Sequence, residues 1–416
     1  MRNRKTVRIL SLSLTLVFML ALLSLLPGCS SMKTVTLNVY NWGEYISDGS
    51  EGCLDVNKEF ENYWNENFAE EYGYRVKVNY TMYASNEDMY AKLKSEATRY
   101  DVIIPSDYMI ARLIDENMLA KINFDLVPNY EDVAPEFKNQ YFDPTNEYCV
   151  PYTCGMVGII YNTEMVDEED IGGWSLMFDK ELMEKYKGSI LQFNNSRDAF
   201  GSAQYYRGID VNTTNETEWR EALDCLKAQK PYIQSYVMDE VFNKMKGESA
   251  AIAPYYVGDF LSMYEDNENL AFYYPEEGTN IFIDAMCIPA NSRHQDVAAI
   301  YINFMASTEI AMENAEYIYY ATPMMSVRDD PDYQADMMEI HEDAMKLLYP
   351  ETSVFTSYYY TLDPDTLNLV NDLWEELKIE STQGATIYYI AGGIVLICAA
   401  IFIALFVRKK RRERYY

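Results

Sequence analysis

The 416-residue sequence predicts an α/β fold in two lobes, and three observations carry that prediction. Residues 35–105 alternate strand-like and helix-like hydrophobic patterns, the signature of a doubly wound, mostly parallel sheet. A second alternating series begins at residue 150, after an irregular acidic stretch. Neither an internal repeat nor a low-complexity linker separates the two series, so they read as lobes of one body rather than as separate modules.

Val35, Leu37 and Val39 recur at period two and make the first strand, which stops at Gly43 inside the cluster Asn41, Trp42, Gly43, Glu44, Tyr45. Val56, Phe60, Trp64, Phe68 and Tyr72 fall on one stripe of a helix over 54–72, and Gly73 supplies its stop. Residues 75–80 alternate again as a strand. Ser85 caps a second helix with apolar face Met89, Leu93 and Ala97, and Asp88 stands three residues on as an approximate capping box. Residues 101–105 are a short buried strand ending at Ser106, Asp107 and Tyr108, and a third helix covers 109–117. The second series takes in a buried strand at 156–162, elements at 189–193, 216–229 and 250–254, a strand at 282–289 and an amphipathic helix at 296–306.

The ends read differently from the body. Residues 1–29 place Arg2, Arg4, Lys5 and Arg8 before a short apolar core, a secretory signal. The run closes on Leu26, Pro27, Gly28 and Cys29, which resembles a bacterial lipoprotein cleavage site with Cys29 as the lipidated residue. Residues 385–407 carry no charge and are long enough to cross a bilayer of ~30 Å. The basic tail at 408–416 puts that end in the cytoplasm and the body outside.

These ends hold ten of the 34 basic residues and one of the 65 acidic ones, which leaves the body at a net charge of −40. Such a field repels nucleic acid and draws small cations. Two histidines leave little material for a His-based triad or a metal cage, and no cofactor motif appears. Cys53, Cys149, Cys154, Cys225 and Cys287 remain in the body; they read as free thiols, with a Cys149–Cys154 bridge as the alternative. Chemistry gathers at the carboxyl ends of strands, where open α/β sheets bind ligands. There Trp42 and Tyr45 flank Glu44, an arrangement of rings and acid that suits an organic cation. Asp284 lies within the apolar run 281–288, where an unpaired acid is costly.

Several stretches together resemble one family. YNWGEYI, SNEDMYAKLK, DVIIPSDYMI, PYTCGMVGIIYN, FIDAMCIPA and YATP occur in the order found in extracellular solute-binding proteins of spermidine/putrescine ABC transporters, across residues 34–380. The resemblance implies a periplasmic-binding-protein (Venus-flytrap) fold, with lobe one at 34–155 plus 283–328 and lobe two at 156–282 plus 329–380. It implies a polyamine ligand in the interlobe cleft, and ABC permease subunits with their ATPase as partners. Carried over position by position, it makes Trp42, Glu44, Tyr45, Ser106, Tyr108, Asp284 and Tyr320 ligand residues. Tyr256 and Phe282 stand where the family has tryptophans, Asn195 where spermidine binders have an aspartate, and Asp198 where they have a glutamate. Cys154 replaces a further tryptophan. With one carboxylate fewer, putrescine or another short diamine is as well matched as spermidine. The competing readings are a binder of another cationic amine or a sugar, a hydrolase using Glu44 and Asp284 as an acid pair, and a sensor signalling through its tail.

Overall fold

The computed structural model describes residues 32–379, apart from 51, 96–97 and 351–353. The signal at 1–29, the lipidation site Cys29, the span at 385–407 and the tail at 408–416 lie outside the described residues. Among the described residues no helix is long and apolar enough to cross a membrane.

Contacts divide the chain into two units, Met1–Thr36 with Glu61–Lys77, and Leu37–Phe60 with Val78–Tyr416. In the first, Trp64 stacks on Tyr74 with ring centroids 5.7 Å apart and donates its indole N–H to the Tyr74 carbonyl at 3.1 Å. Phe68 and Tyr72 complete this aromatic cluster, so the last three residues of the predicted stripe pack together. The helix it lies on breaks into Val56–Asn67 and Ala69–Tyr72, and Gly73 ends it at φ 75°, the left-handed stop expected of a glycine.

The second unit holds most of one ten-stranded sheet. Its strands are β1 (Lys33–Trp42), β2 (Tyr74–Tyr83), β3 (Val102–Ile103), β4 (Cys149–Asn162), β5 (Ile190–Phe193), β6 (Ile233–Val237), β7 (Ile252–Tyr256), β8 (Leu270–Tyr273), β9 (Thr279–Cys287) and β10 (Thr356–Ser357). The order along the sheet is β2-β1-β3-β9-β4-β7-β5-β6, with β8 on β4 and β10 on β9. The prediction of a mostly parallel sheet is corrected here. β1 pairs β3 and β5 pairs β6 and β7 in parallel, but β9 runs antiparallel to β3 and to β4, and β4 antiparallel to β7 and β8. The sheet is mixed because the central strands β4 and β9 carry the chain across it rather than returning through a crossover helix.

β4 changes partner midway: Cys149–Met156 face β9, and Val157–Asn162 face β7 and β8. All but one of its residues are buried, which explains the unbroken apolar run in the sequence. Gly155 and Gly158 let rings lie on its backbone, since a Cβ at either would strike Phe282 or Phe272. Ser85 caps the helix Asn86–Lys94 by accepting from the Asp88 amide at 3.1 Å, as the capping pattern predicts. The irregular region before β4 folds as three short 3-10 turns. All five cysteines of the body are free thiols, and Cys149 lies opposite Cys287 on β9 rather than bridged to Cys154.

Candidate ligand-binding site

Ten of the eleven residues expected at the site line one cavity, the exception being Glu44. The cavity measures about 90 Å3, a confined space with room for several water molecules. That suits a short linear molecule.

Asp284 sits on β9 at 3% exposure. Its Oδ2 accepts a 2.8 Å hydrogen bond from the Tyr45 hydroxyl, which also lies 2.5 Å from Thr153 Oγ1. Its Oδ1 has no hydrogen-bond partner. Burial pushes the carboxyl up to about 7, against the lowering effect of the Ser106 and Tyr45 hydroxyls. Ser106 is brought there by a β-bridge between residues 106 and 284 and is held by Asn86, which accepts from its amide and donates to its hydroxyl.

The aromatic residues form a continuous wall. Tyr45 meets Tyr320 edge-on at 4.9 Å, Tyr320 meets Phe282 at 6.4 Å, and Phe282 meets Tyr256 edge-on at 5.4 Å. Tyr320 enters because Tyr319 before it takes a left-handed φ of 58°, turning the chain at the end of the helix Thr308–Ile318. Trp42 is fixed by its indole N–H on the Ile104 carbonyl at 2.9 Å.

The opposite side is built on the helix Ser196–Arg207. Asn195 caps it, accepting from the Asp198 amide at 2.8 Å and donating its own amide to Asp198 Oδ2 at 2.8 Å. Asp198 also accepts from the Tyr256 hydroxyl at 2.6 Å, and burial raises its pKa. Tyr108 donates to Glu87 at 2.9 Å.

Glu44 is placed elsewhere. Its backbone takes φ 49° in the turn that follows β1, and the exposed side chain lines an outer groove with Asp48 and Glu265. The stop of the alternation at Gly43 marks a turn, but the pattern Trp-Gly-Glu-Tyr does not say which way it sends the Glu44 side chain.

The structure adds residues that sequence reasoning missed. Glu87, Asp107, Asp239 and Asp259 join Asp198 and Asp284, so six carboxylates line the cavity beside one base, Arg197. Burial raises Glu87 and Asp107, and pushes Asp259 up to about 8. Arg197 is buried with its guanidinium 4.4 Å from the ring of Tyr359, and it reaches the carbonyls of Val211 and Tyr360. Tyr359 is the last wall residue; its carbonyl accepts from Tyr141, and Gly201 leaves room for its hydroxyl. Glu87 sits inside the quoted SNEDMYAKLK segment, where the capping position at Ser85 was the signal to look. Asp239 and Tyr359 carry no comparable signal.

Among the described residues no group of three His, Cys, Asp or Glu side chains is placed to hold a metal ion. Six carboxylates that outnumber the single base Arg197, between aromatic faces, are chemically suited to ammonium groups joined by an apolar chain.

The family model for bacterial extracellular solute-binding proteins matches residues 64–339. The spermidine/putrescine-binding periplasmic protein of Salmonella typhimurium is 30% identical over 347 residues, which covers 82% of this chain and 91% of that protein. A putrescine-binding periplasmic protein of Pseudomonas aeruginosa, SpuD, is 28% identical over 335 residues, covering 75% and 86%. Among solved structures, the spermidine/putrescine ABC transporter substrate-binding protein PotD from Streptococcus pneumoniae superposes with a TM-score of 0.63 at 32% identity, covering 83% of this chain and 98% of that one.

Proposed function

The chain belongs to the bacterial extracellular solute-binding proteins, and on that premise we propose that it captures a polyamine of the putrescine–spermidine class and delivers it to an ABC permease. The observation that carries the reading is Asp284: a buried carboxylate with one oxygen lacking a hydrogen-bond partner, in a cavity of acids and rings. A primary ammonium supplies that oxygen with a charge-assisted hydrogen bond, and the wall from Tyr45 to Tyr256 covers the methylenes. Binding favours the ionised carboxylate, so a site whose acids are raised toward neutrality releases protons as it fills.

The lobes are proposed as 34–155 with 283–328 and 156–282 with 329–380, closing on the ligand about β4 and β9. The change of partner within β4 supports a crossing near residue 156. The signal, the lipidated Cys29 and the span at 385–407 would hold the receptor at the outer membrane surface beside its permease subunits and their ATPase. The apolar run and the basic residues after it support that arrangement. An acid pair of Glu44 and Asp284 is set aside, because Glu44 does not line the cavity and the family consists of solute-binding transporter proteins.

Isothermal titration of the full-length protein in detergent with putrescine, spermidine, spermine and maltose tests the reading. Saturable heat with at least one polyamine and none with maltose is expected. Absence of binding to all three polyamines would overturn it.

A further inference from the structure

Two of the body's cysteines face each other across the sheet. Cys149 on β4 and Cys287 on β9 are directly opposed in an antiparallel pair, and both are buried. Their neighbours fix the kind of pairing. Pro151 has no N–H to give, and the Ala285 amide opposite it donates to the Pro105 carbonyl at 3.1 Å, away from β4. Pro151 and Ala285 are therefore a non-hydrogen-bonded pair, and so, two residues along, are Cys149 and Cys287. On its other side β9 keeps the matching register, with Cys287 opposite Ile103. In a non-hydrogen-bonded pair the Cα atoms stand about 4.5 Å apart and the two side chains share one face. A disulfide spans Cα atoms about 4.4–6.8 Å apart, so this position accepts one without moving the backbone.

Both residues are thiols in this structure. The Cys287 thiol lies against that of Cys149, and this contact, with burial, holds the Cys149 proton on. Cys149 Sγ donates to Asp143 Oδ2 at 3.5 Å, and the same oxygen accepts from the Cys149 amide at 3.2 Å. Cys154 is no alternative partner. It opposes Ile283, and β4 runs unbroken from Cys149 past it. Five residues of strand separate the two by roughly 16 Å, far beyond a disulfide's reach. The extracellular setting of the family supplies the remaining condition, since disulfides form and persist there.

We propose that Cys149 and Cys287 are an oxidisable pair that closes into a cross-strand disulfide once the chain is outside the cytoplasm. One thiolate attacks a sulfur of a disulfide-bearing oxidant and expels one of its thiolates. The second cysteine then attacks the mixed disulfide and expels the other. The pair gives up two protons and two electrons, and the oxidant becomes two thiols. Buried thiols that keep their protons exchange slowly, so the bond forms while β4 and β9 are being laid together. Once closed, it pins their register three residues from Asp284, on the far side of the irregularity between Pro151 and Thr153. The strand that carries the buried acid then cannot slip against its neighbour. Nothing in this depends on which solute fills the cavity.

The test is peptide mapping of the full-length protein, exported by an aerobically grown host, quenched in acid, then denatured and alkylated with or without prior reduction. Without reduction, the peptides bearing Cys149 and Cys287 should appear as one linked species, lighter than their sum by two hydrogens. Dithiothreitol should separate them, while Cys53, Cys154 and Cys225 take the alkylating agent in both samples. Alkylation of Cys149 and Cys287 in the unreduced sample overturns the proposal, and so does a link from either to another cysteine. Thermal melts give a second reading. The unreduced wild type should melt about 5 °C or more above the reduced one. Cys149→Ala and Cys287→Ala should each abolish that difference, and Cys225→Ala should keep it. A wild type whose two forms melt together, or a difference that survives Cys149→Ala, overturns the proposal as well.

Discussion

Replacing Asp284 by asparagine should move affinity and stability in opposite directions. The side chain keeps its volume and still accepts from Tyr45, but a bound ammonium then lies buried without its counter-charge. Removing one partner of a buried pair costs about 3–5 kcal/mol, a loss of affinity of roughly 100- to 4,000-fold. Without ligand the sign reverses. The carboxyl is raised to about 7 in the folded protein from 3.8, so the folded state holds more protons than the unfolded one between those values. Stability is therefore lost as pH rises through that window. At 1.36 kcal/mol for each tenfold change the loss above pH 7 is about 4 kcal/mol at most. The unmet N–H of the amide gives back about 1–3 kcal/mol of the gain. Urea unfolding at pH 8 should thus find ligand-free Asp284→Asn about 1–3 kcal/mol more stable than wild type, whereas below pH 4 the gain should vanish. Calorimetry on the same protein gives the affinity. A variant that loses both stability and affinity at pH 8 would mean that Asp284 holds the fold together rather than the ligand, and the reasoning would fail.

Titration with putrescine in two buffers of different ionisation enthalpy should reveal proton release at pH 7, and affinity should decline as pH falls below about 7, where Asp284 becomes neutral; a buffer-independent heat would refute this. Glu44→Gln should change putrescine affinity by no more than about fivefold, the ceiling for an exposed charge, because Glu44 lies in the outer groove. Asn195→Asp brings a second carboxylate against Asp198 Oδ2, now 2.8 Å from the Asn195 amide; the ligand-free protein should melt lower, and spermidine should recover more of the loss than putrescine. Gly258→Ala drives a methyl into the Tyr320 ring and should cost about 1–3 kcal/mol of stability by overpacking, read by thermal melts.

Asp284 was legible because an acid within an apolar run needs a reason, and Trp42 and Tyr45 because they close a strand at its carboxyl end. Glu44 beside them was not, since a positive φ at one residue is invisible to alternation and sends the side chain to another surface. Asn195 and Asp198 were expected as two ligand positions; the structure joins them in one capping arrangement, which local spacing alone allows but does not require. Asp239 and Tyr359 reach the cavity through the ends of β6 and β10, and only the sheet order sets where those ends lie. The mixed sheet was misread for the same reason. Periodicity marks a strand but not its direction, and β4 and β9 pair over a separation that no local pattern spans.

Tyr359 has a consequence for the newborn protein. The cavity is closed by segments from Trp42 onward, and the ring that completes it comes just before the final described helix, Pro364–Ile379. A chain made from its N-terminus therefore lacks a finished pocket through nearly the whole of its synthesis. A polyamine meets only fragments of the wall while the polypeptide is being extended. The complete wall therefore exists only once the segment bearing Tyr359 has been made.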